Sequence, residues 1–160
     1  MISRMLRDKP VVVHGDGSSI WTLTHHRDFA KGLVGLLGRP EAIGQAYQIT
    51  SDEWLTWNQI LITLGRAFGK EPELVTIPSR IIARYHKELG DSLLGDKTAS
   101  MIFDNSKIKA LVPDFRCEIP FSQGAQEIAA GYRAHPEQCV IDPDMDGRFD
   151  RLVADYGALE

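Results

Sequence analysis

Apolar and polar positions alternate along this chain with two different periods, and the switches between them outline its elements. Val11-Val12-Val13 is a short β-branched run, which suits a pleated strand. Gly15-Asp16-Gly17 follows as a turn, because glycine supplies the positive φ such turns need. Ile20 to Thr24 reads as a second strand, which predicts a hairpin with the first. From a helix start at Asp28, the residues Phe29, Ala30, Leu33, Val34, Leu36 and Leu37 fall at helical spacing, and Gly38 and Pro40 end the run. Gln45 to Thr50 alternates with period two and predicts a half-buried strand.

Thr56 is placed to cap a helix whose face carries Trp57, Ile60, Leu61, Leu64 and Phe68, with Gly69 at its end. Leu74 to Ile77 predicts a strand closed by Pro78. Ser79 then caps a helix with Ile81, Ile82, Tyr85 and Leu89 on one side, and Gly90 to Gly95 reads as irregular. Asp104-Asn105-Ser106 predicts the cap of a short helix ending near Pro113. Phe121, Ala125, Ile128, Ala129 and Tyr132 mark another helix, stopped by Pro136, and Phe149, Leu152, Val153 and Tyr156 mark the last.

The expected fold class is therefore mixed α/β: helices with a few short strands, in a single region over residues 1–160 with no separate linker. A strand such as Gln45 to Thr50 needs a sheet neighbour, since an unpaired strand leaves its backbone groups unmet. No evident partner lies nearby in the sequence, which hints that part of the fold is supplied from outside it.

Composition narrows the function. With 43% apolar and 25% charged residues, the 160-residue chain reads as an ordinary globular domain rather than a disordered or fibrous one. A net charge of −4 without a basic block argues against a nucleic-acid partner. No window is long and apolar enough for a signal peptide or a membrane span, so a cytoplasmic protein is expected. Cys117 and Cys139 have no metal-ligand spacing and read as free thiols. Asp142-Pro-Asp-Met-Asp-Gly147 opens like a calcium loop, but Val153 stands where a bidentate glutamate belongs, so no metal is expected.

Four segments in order resemble the extended short-chain dehydrogenases, the NAD-dependent epimerase/dehydratase family. They are Gly15-Asp-Gly-Ser18 followed by His25-x-x-Asp28-Phe29-Ala30, then Gly44-Gln-Ala-Tyr-Gln-Ile-Thr-Ser51, Thr56-Trp-Asn-Gln-Ile60, and Phe103-Asp-Asn-Ser-Lys-Ile-Lys-Ala-Leu-Val-Pro-Asp-Phe115. The resemblance implies the C-terminal, substrate-side portion of such an enzyme, without its N-terminal Rossmann half. The family's glycine-rich phosphate loop is not found in these residues. Nor is its Tyr-x-x-x-Lys pair: Tyr47, Tyr85, Tyr132 and Tyr156 are followed four places on by Ser51, Leu89, Pro136 and Glu160. No catalytic or cofactor-binding residue is therefore assigned. NAD or NADP is implied for the complete family enzyme, and none is expected to bind this chain alone.

Two arginines that would hold a sugar-nucleotide pyrophosphate are also replaced, one by Trp21 and one within Ser100-Met-Ile-Phe103. A flatter or less charged small molecule suits Trp21 better. Trp21, His25 and Arg80 are the candidate substrate contacts, with helix capping open as another role for His25 and a solvated surface position for Arg80. Lys97, in Gly95-Asp-Lys97, lacks the spacing of a phosphate loop. The expected function is the substrate-binding part of an NAD(P)-dependent epimerase/dehydratase or reductase-like protein, partnered by a Rossmann half. The alternative is a stand-alone module that self-associates as a homo-oligomer or binds a ligand without redox activity. RNA binding, known among plastid relatives with a similar Gly-Asp-Gly-Ser pattern, is disfavoured by the acidic balance.

Overall fold

The first strand has a partner, but not the one expected. In the computed structural model, which describes residues 1–157, β1 (Val11–His14) pairs in parallel with β4 (Leu74–Ile77), Val11 opposite Leu74 and His14 opposite Ile77. The predicted hairpin does not form. Instead β2 (Ile20–Trp21) runs antiparallel to β3 (Leu55–Thr56). The reason lies in the turn between β1 and β2, which is claimed by α3 (Trp57–Ala67). Asn58 N–H donates to the Gly17 carbonyl at 3.0 Å and Trp57 N–H to that of Ser19 at 3.2 Å. Asn58 Nδ2 also donates to the Asp16 carbonyl at 2.9 Å. Gly17 sits at φ +73°, and a Cβ there would come within 2.0 Å of Asn58 Oδ1, so only glycine fits.

The helices follow the sequence pattern more closely. α1 (Ile2–Leu6) precedes β1, and α2 (His26–Leu36) opens two residues before Asp28 because His25 serves as its cap. α3 starts where predicted, with a capping box in which Thr56 and Gln59 satisfy each other's backbone N–H. The helix expected from Ser79 is two helices, α4 (Ser79–Tyr85) and α5 (Lys87–Ser92), broken at His86. Gly90, read as irregular, belongs to α5, where its missing side chain lets the two helices touch: a Cβ would lie 2.3 Å from that of Ala83. A π-helical turn, Leu93–Lys97, extends α5. α6 (Ser106–Leu111), α7 (Phe121–Ala134) and α8 (Pro143–Gly157) complete the order, α8 starting earlier than its apolar stripe suggested.

Three apolar clusters hold these elements. Met5, Val11, Val13, Leu61 and Leu64 join α1, β1 and α3, and fully buried Ala125 and Ala129 let α7 pack on them. Ile77, Ile82, Leu93 and Leu152 form the second, under α8. Ile108, Val112 and Phe115 form the third, with Leu36 of α2, Tyr47 and Ile49 packed against it. Each fully buried aliphatic side chain contributes roughly 1.5–3 kcal/mol.

Gln45 to Thr50 joins no ladder, contrary to the expected strand. Tyr47 and Ile49 turn inward and Gln48 outward, as the alternation predicted. At its end, Asn105 Oδ1 accepts from Thr50 N–H and Thr24 Oγ1 accepts from Ser51 N–H. The N–H groups of Ala46, Tyr47, Gln48 and Ile49 have no partner among the described residues.

Asp142 to Asp150 is ion-paired rather than loop-like. Asp146, in the first turn of α8, meets Arg4, Arg7 and Lys9 at 2.9 Å each, and Asp150 meets Arg4 and Lys9. No helix among the described residues is long and apolar enough to cross a membrane.

Candidate functional site

Four side chains from distant parts of the chain meet at the C-terminal end of β1. His14 ends the strand, buried, with Nε2 at 2.9 Å from the Lys97 carbonyl and 3.3 Å from Ser19 Oγ. A carbonyl only accepts, so Nε2 carries the proton. Burial holds the imidazole below its ordinary pKa, outweighing the Lys97 carbonyl, and keeps it neutral. Trp57, the first residue of α3, meets the His14 ring edge-on with centroids 5.1 Å apart. Its other neighbour is Trp21, at 6.0 Å. Lys97 Nζ stands 5.7 Å from the Trp21 ring centroid, within cation–π reach.

Beside this cluster lies a cavity of about 320 Å³, between β1, α3, α5 and α8. Val12, His14, Trp57, Leu93, Lys97 and Phe149 are in its wall. Lys97 comes from the π-helical turn, which aims it differently from an α-helical residue, and its ammonium donates to Ser92 Oγ at 2.8 Å and Asp96 Oδ1 at 3.1 Å. Ser79 Oγ bonds Thr98 Oγ1 at 2.7 Å, and Thr98 Oγ1 donates to the Leu93 carbonyl, which pins the turn to α4.

A second, more open groove of about 550 Å³ runs between the start of α2 and α7. His25 lies in its wall. Its Nδ1 accepts from Arg27 N–H at 3.2 Å, so Nε2 carries the proton it gives to Glu127 Oε2 at 3.1 Å. That bond, with Arg27 also nearby, lowers the Glu127 pKa. The rings of His25 and His26 sit 4.3 Å apart.

The three candidate contacts are thus dispersed. Trp21 lies against Trp57 and Lys97 of the cavity wall, His25 lies in the groove with both nitrogens engaged, and Arg80 is exposed on α4 without a polar partner among the described residues. Asp28 is fully buried, its Oδ2 accepting from Glu118 and Ile119 N–H at 3.0 and 2.9 Å, with Lys31 Nζ 2.9 Å from Oδ1. Burial alone would raise its pKa, but Lys31 and the two backbone donors hold it below the ordinary value. It ties α2 to the chain before α7. Trp57 and Lys97 are the residues that sequence reasoning passed over: the first read only as core, the second only as a failed phosphate loop.

No family model matches the chain, and no curated protein matches it. Solved structures do match in fold. UDP-glucuronic acid 4-epimerase of Bacillus cereus, in complex with UDP-glucuronic acid and NAD, aligns over 83% of this chain and 38% of its own, with a TM-score of 0.63 at 20% identity. UDP-glucose 4-epimerase of Thermotoga maritima, with UDP-glucose, aligns over 82% and 37%, with 0.63 at 22%. An epimerase of Methanothermobacter thermautotrophicus gives 85% and 36%, with 0.64 at 19%. The chain spans just over a third of the length of these structures. The likeness is one of fold.

Proposed function

We propose that this chain is the substrate-side, C-terminal part of an NAD(P)-dependent epimerase/dehydratase or reductase-like protein. Cofactor binding and hydride chemistry come from a nucleotide-binding half that these 160 residues do not contain, whether on a longer polypeptide or another chain. The observation that carries this reading is that α2 is left apolar and exposed on one side and lies on the other against backbone without partners. On α2 and its C-cap, Phe29, Leu33, Val34 and Leu37 are exposed, Val34 and Leu37 at 65% and 68%. The opposite side of that helix packs, through Gly32 and Leu36, on the segment whose N–H groups lack partners. An apolar helix face and unpaired backbone are what the edge of an α/β sheet needs in order to receive another layer and another strand. The shared fold with part of the epimerases supports the same reading.

In this reading Trp21, His25 and Arg80 remain proposed substrate contacts. The chain does no redox chemistry by itself. Calorimetric titration with NAD⁺ and NADP⁺ tests it: no binding is expected, and tight binding by the chain alone would overturn it.

The second reading, a self-associating module, draws on the same α2 face. Light scattering across a concentration series distinguishes them, because a stable homodimer that is lost in Leu33→Glu favours self-association.

A further inference from the structure

We infer that the cavity beside His14 binds a small, largely apolar molecule bearing a single negative charge, such as an aromatic or medium-chain carboxylate. The inference rests on the proposed function only in making that molecule the substrate; the binding itself is a property of this chain.

The wall sets the chemistry. Val12, Leu61, Ile82, Leu89 and Leu93 make most of it apolar, and at about 320 Å³ it falls at the small end of ligand pockets. Met145 and Phe149 of α8 close one side, and α8 is held there by the Asp146 and Asp150 ion pairs to Arg4, Arg7 and Lys9. Among the described residues, the wall carries one charged side chain, Lys97, and no carboxylate, and the Met1 amino terminus lies in it as well. His14 is neutral and its Nε2 proton is already given to the Lys97 carbonyl.

Of the two amino groups in the wall, burial and the nearby Arg4 disfavour the charged form of Met1's, which leaves Lys97 as the group to meet an anion. An ammonium has three protons, and Ser92 and Asp96 take two of those of Lys97. Its remaining contact is a long one to Asp96 Oδ2 at 3.5 Å, which leaves a proton for a carboxylate. Trp57, also in the wall, has a buried indole N–H with no acceptor. One ammonium already half-neutralised by Asp96 cannot hold a diphosphate, which calls for bidentate guanidinium groups. A sugar nucleotide is therefore the wrong class of ligand for this cavity.

The test uses anilinonaphthalene sulfonate, an aromatic monoanion, followed by its fluorescence and by energy transfer from tryptophan. The full chain is expected to bind it, with displacement by decanoate and none by uridine diphosphate. Lys97→Met removes the charge and is expected to weaken binding about tenfold, the loss of one charge-assisted hydrogen bond. Leu89→Trp, a half-buried position, fills the cavity and is expected to abolish binding while circular dichroism and thermal unfolding stay close to those of the parent. Probe binding unchanged in both variants would overturn the inference, since the probe would then sit on another apolar patch such as α2. Displacement by uridine diphosphate, lost in Lys97→Met, would overturn the ligand class. Either outcome leaves the titration with NAD⁺ and NADP⁺ to judge the proposed function separately.

Discussion

His14 donates its Nε2 proton to the backbone carbonyl of Lys97 across 2.9 Å, joining the first strand to a π-helical turn near the middle of the chain. The bond survives in either protonation state, because Nε2–H is present in both. What protonation adds is a buried charge. With the native pKa lowered, the unfolded chain takes up a proton at higher pH than the folded one. The contribution is therefore complete above the ordinary histidine value, about 6.5, and falls away below it as pH drops toward the native pKa. Thermal unfolding between pH 8 and 5 is expected to show this decline, and His14→Gln is expected to flatten it.

The ion pairs of α8 predict an acid sensitivity in a lower range. Arg7 and Lys9, with Arg4 behind them, hold the Asp146 carboxyl well below the usual carboxylate range. Its stabilising contribution is present above about pH 4 and is lost as pH falls toward the depressed native value. Asp146→Asn leaves the nearly buried Arg4 without one of its partners. A loss of about 1–3 kcal/mol at pH 7 is expected. Denaturant unfolding checks it, and the gap between parent and variant should narrow below pH 4.

Two glycines in helices should respond to alanine with opposite signs. A Cβ on Gly32 would lie 2.6 Å from Ile49 Cγ2 and 3.0 Å from Phe115 Cε2, so α2 would be pushed off the third cluster. Gly32→Ala is expected to cost about 1–3 kcal/mol despite alanine's better helix propensity. Gly131 of α7 has open space around it, and Gly131→Ala is expected to gain up to about 1 kcal/mol. Urea unfolding of both variants measures the pair.

What the sequence made legible was local. Thr56 as a cap, the stripe from Trp57 to Phe68 and the stops at Gly69 and Pro136 are all decided within a few residues, and the structure has them. Strand partners were not legible, because nothing in Val11-Val12-Val13 says that Leu74 to Ile77 will lie beside it. Nor could spacing reveal that Asn58 would claim the Gly15-Asp16-Gly17 turn and so prevent a hairpin. Lys97 shows the same limit in the site. Its neighbours in sequence rule out a phosphate loop, but only the π-helical turn brings it to Trp21. Gln45 to Thr50 is the converse case: the alternation predicted its inward and outward sides correctly, and the missing ladder reflects the lack of a strand beside it.

The central claim is that the backbone of Ala46 to Ile49 is a docking edge left unpaired in this chain. Deuterium uptake at the amides of residues 46–49 tests it most directly, measured on the chain alone at low concentration. The account predicts uptake as fast as in an unstructured segment, while β1 and β4, paired with each other, remain protected. Protection of 46–49 equal to that of β1 would contradict it, since the segment would then already have its partner.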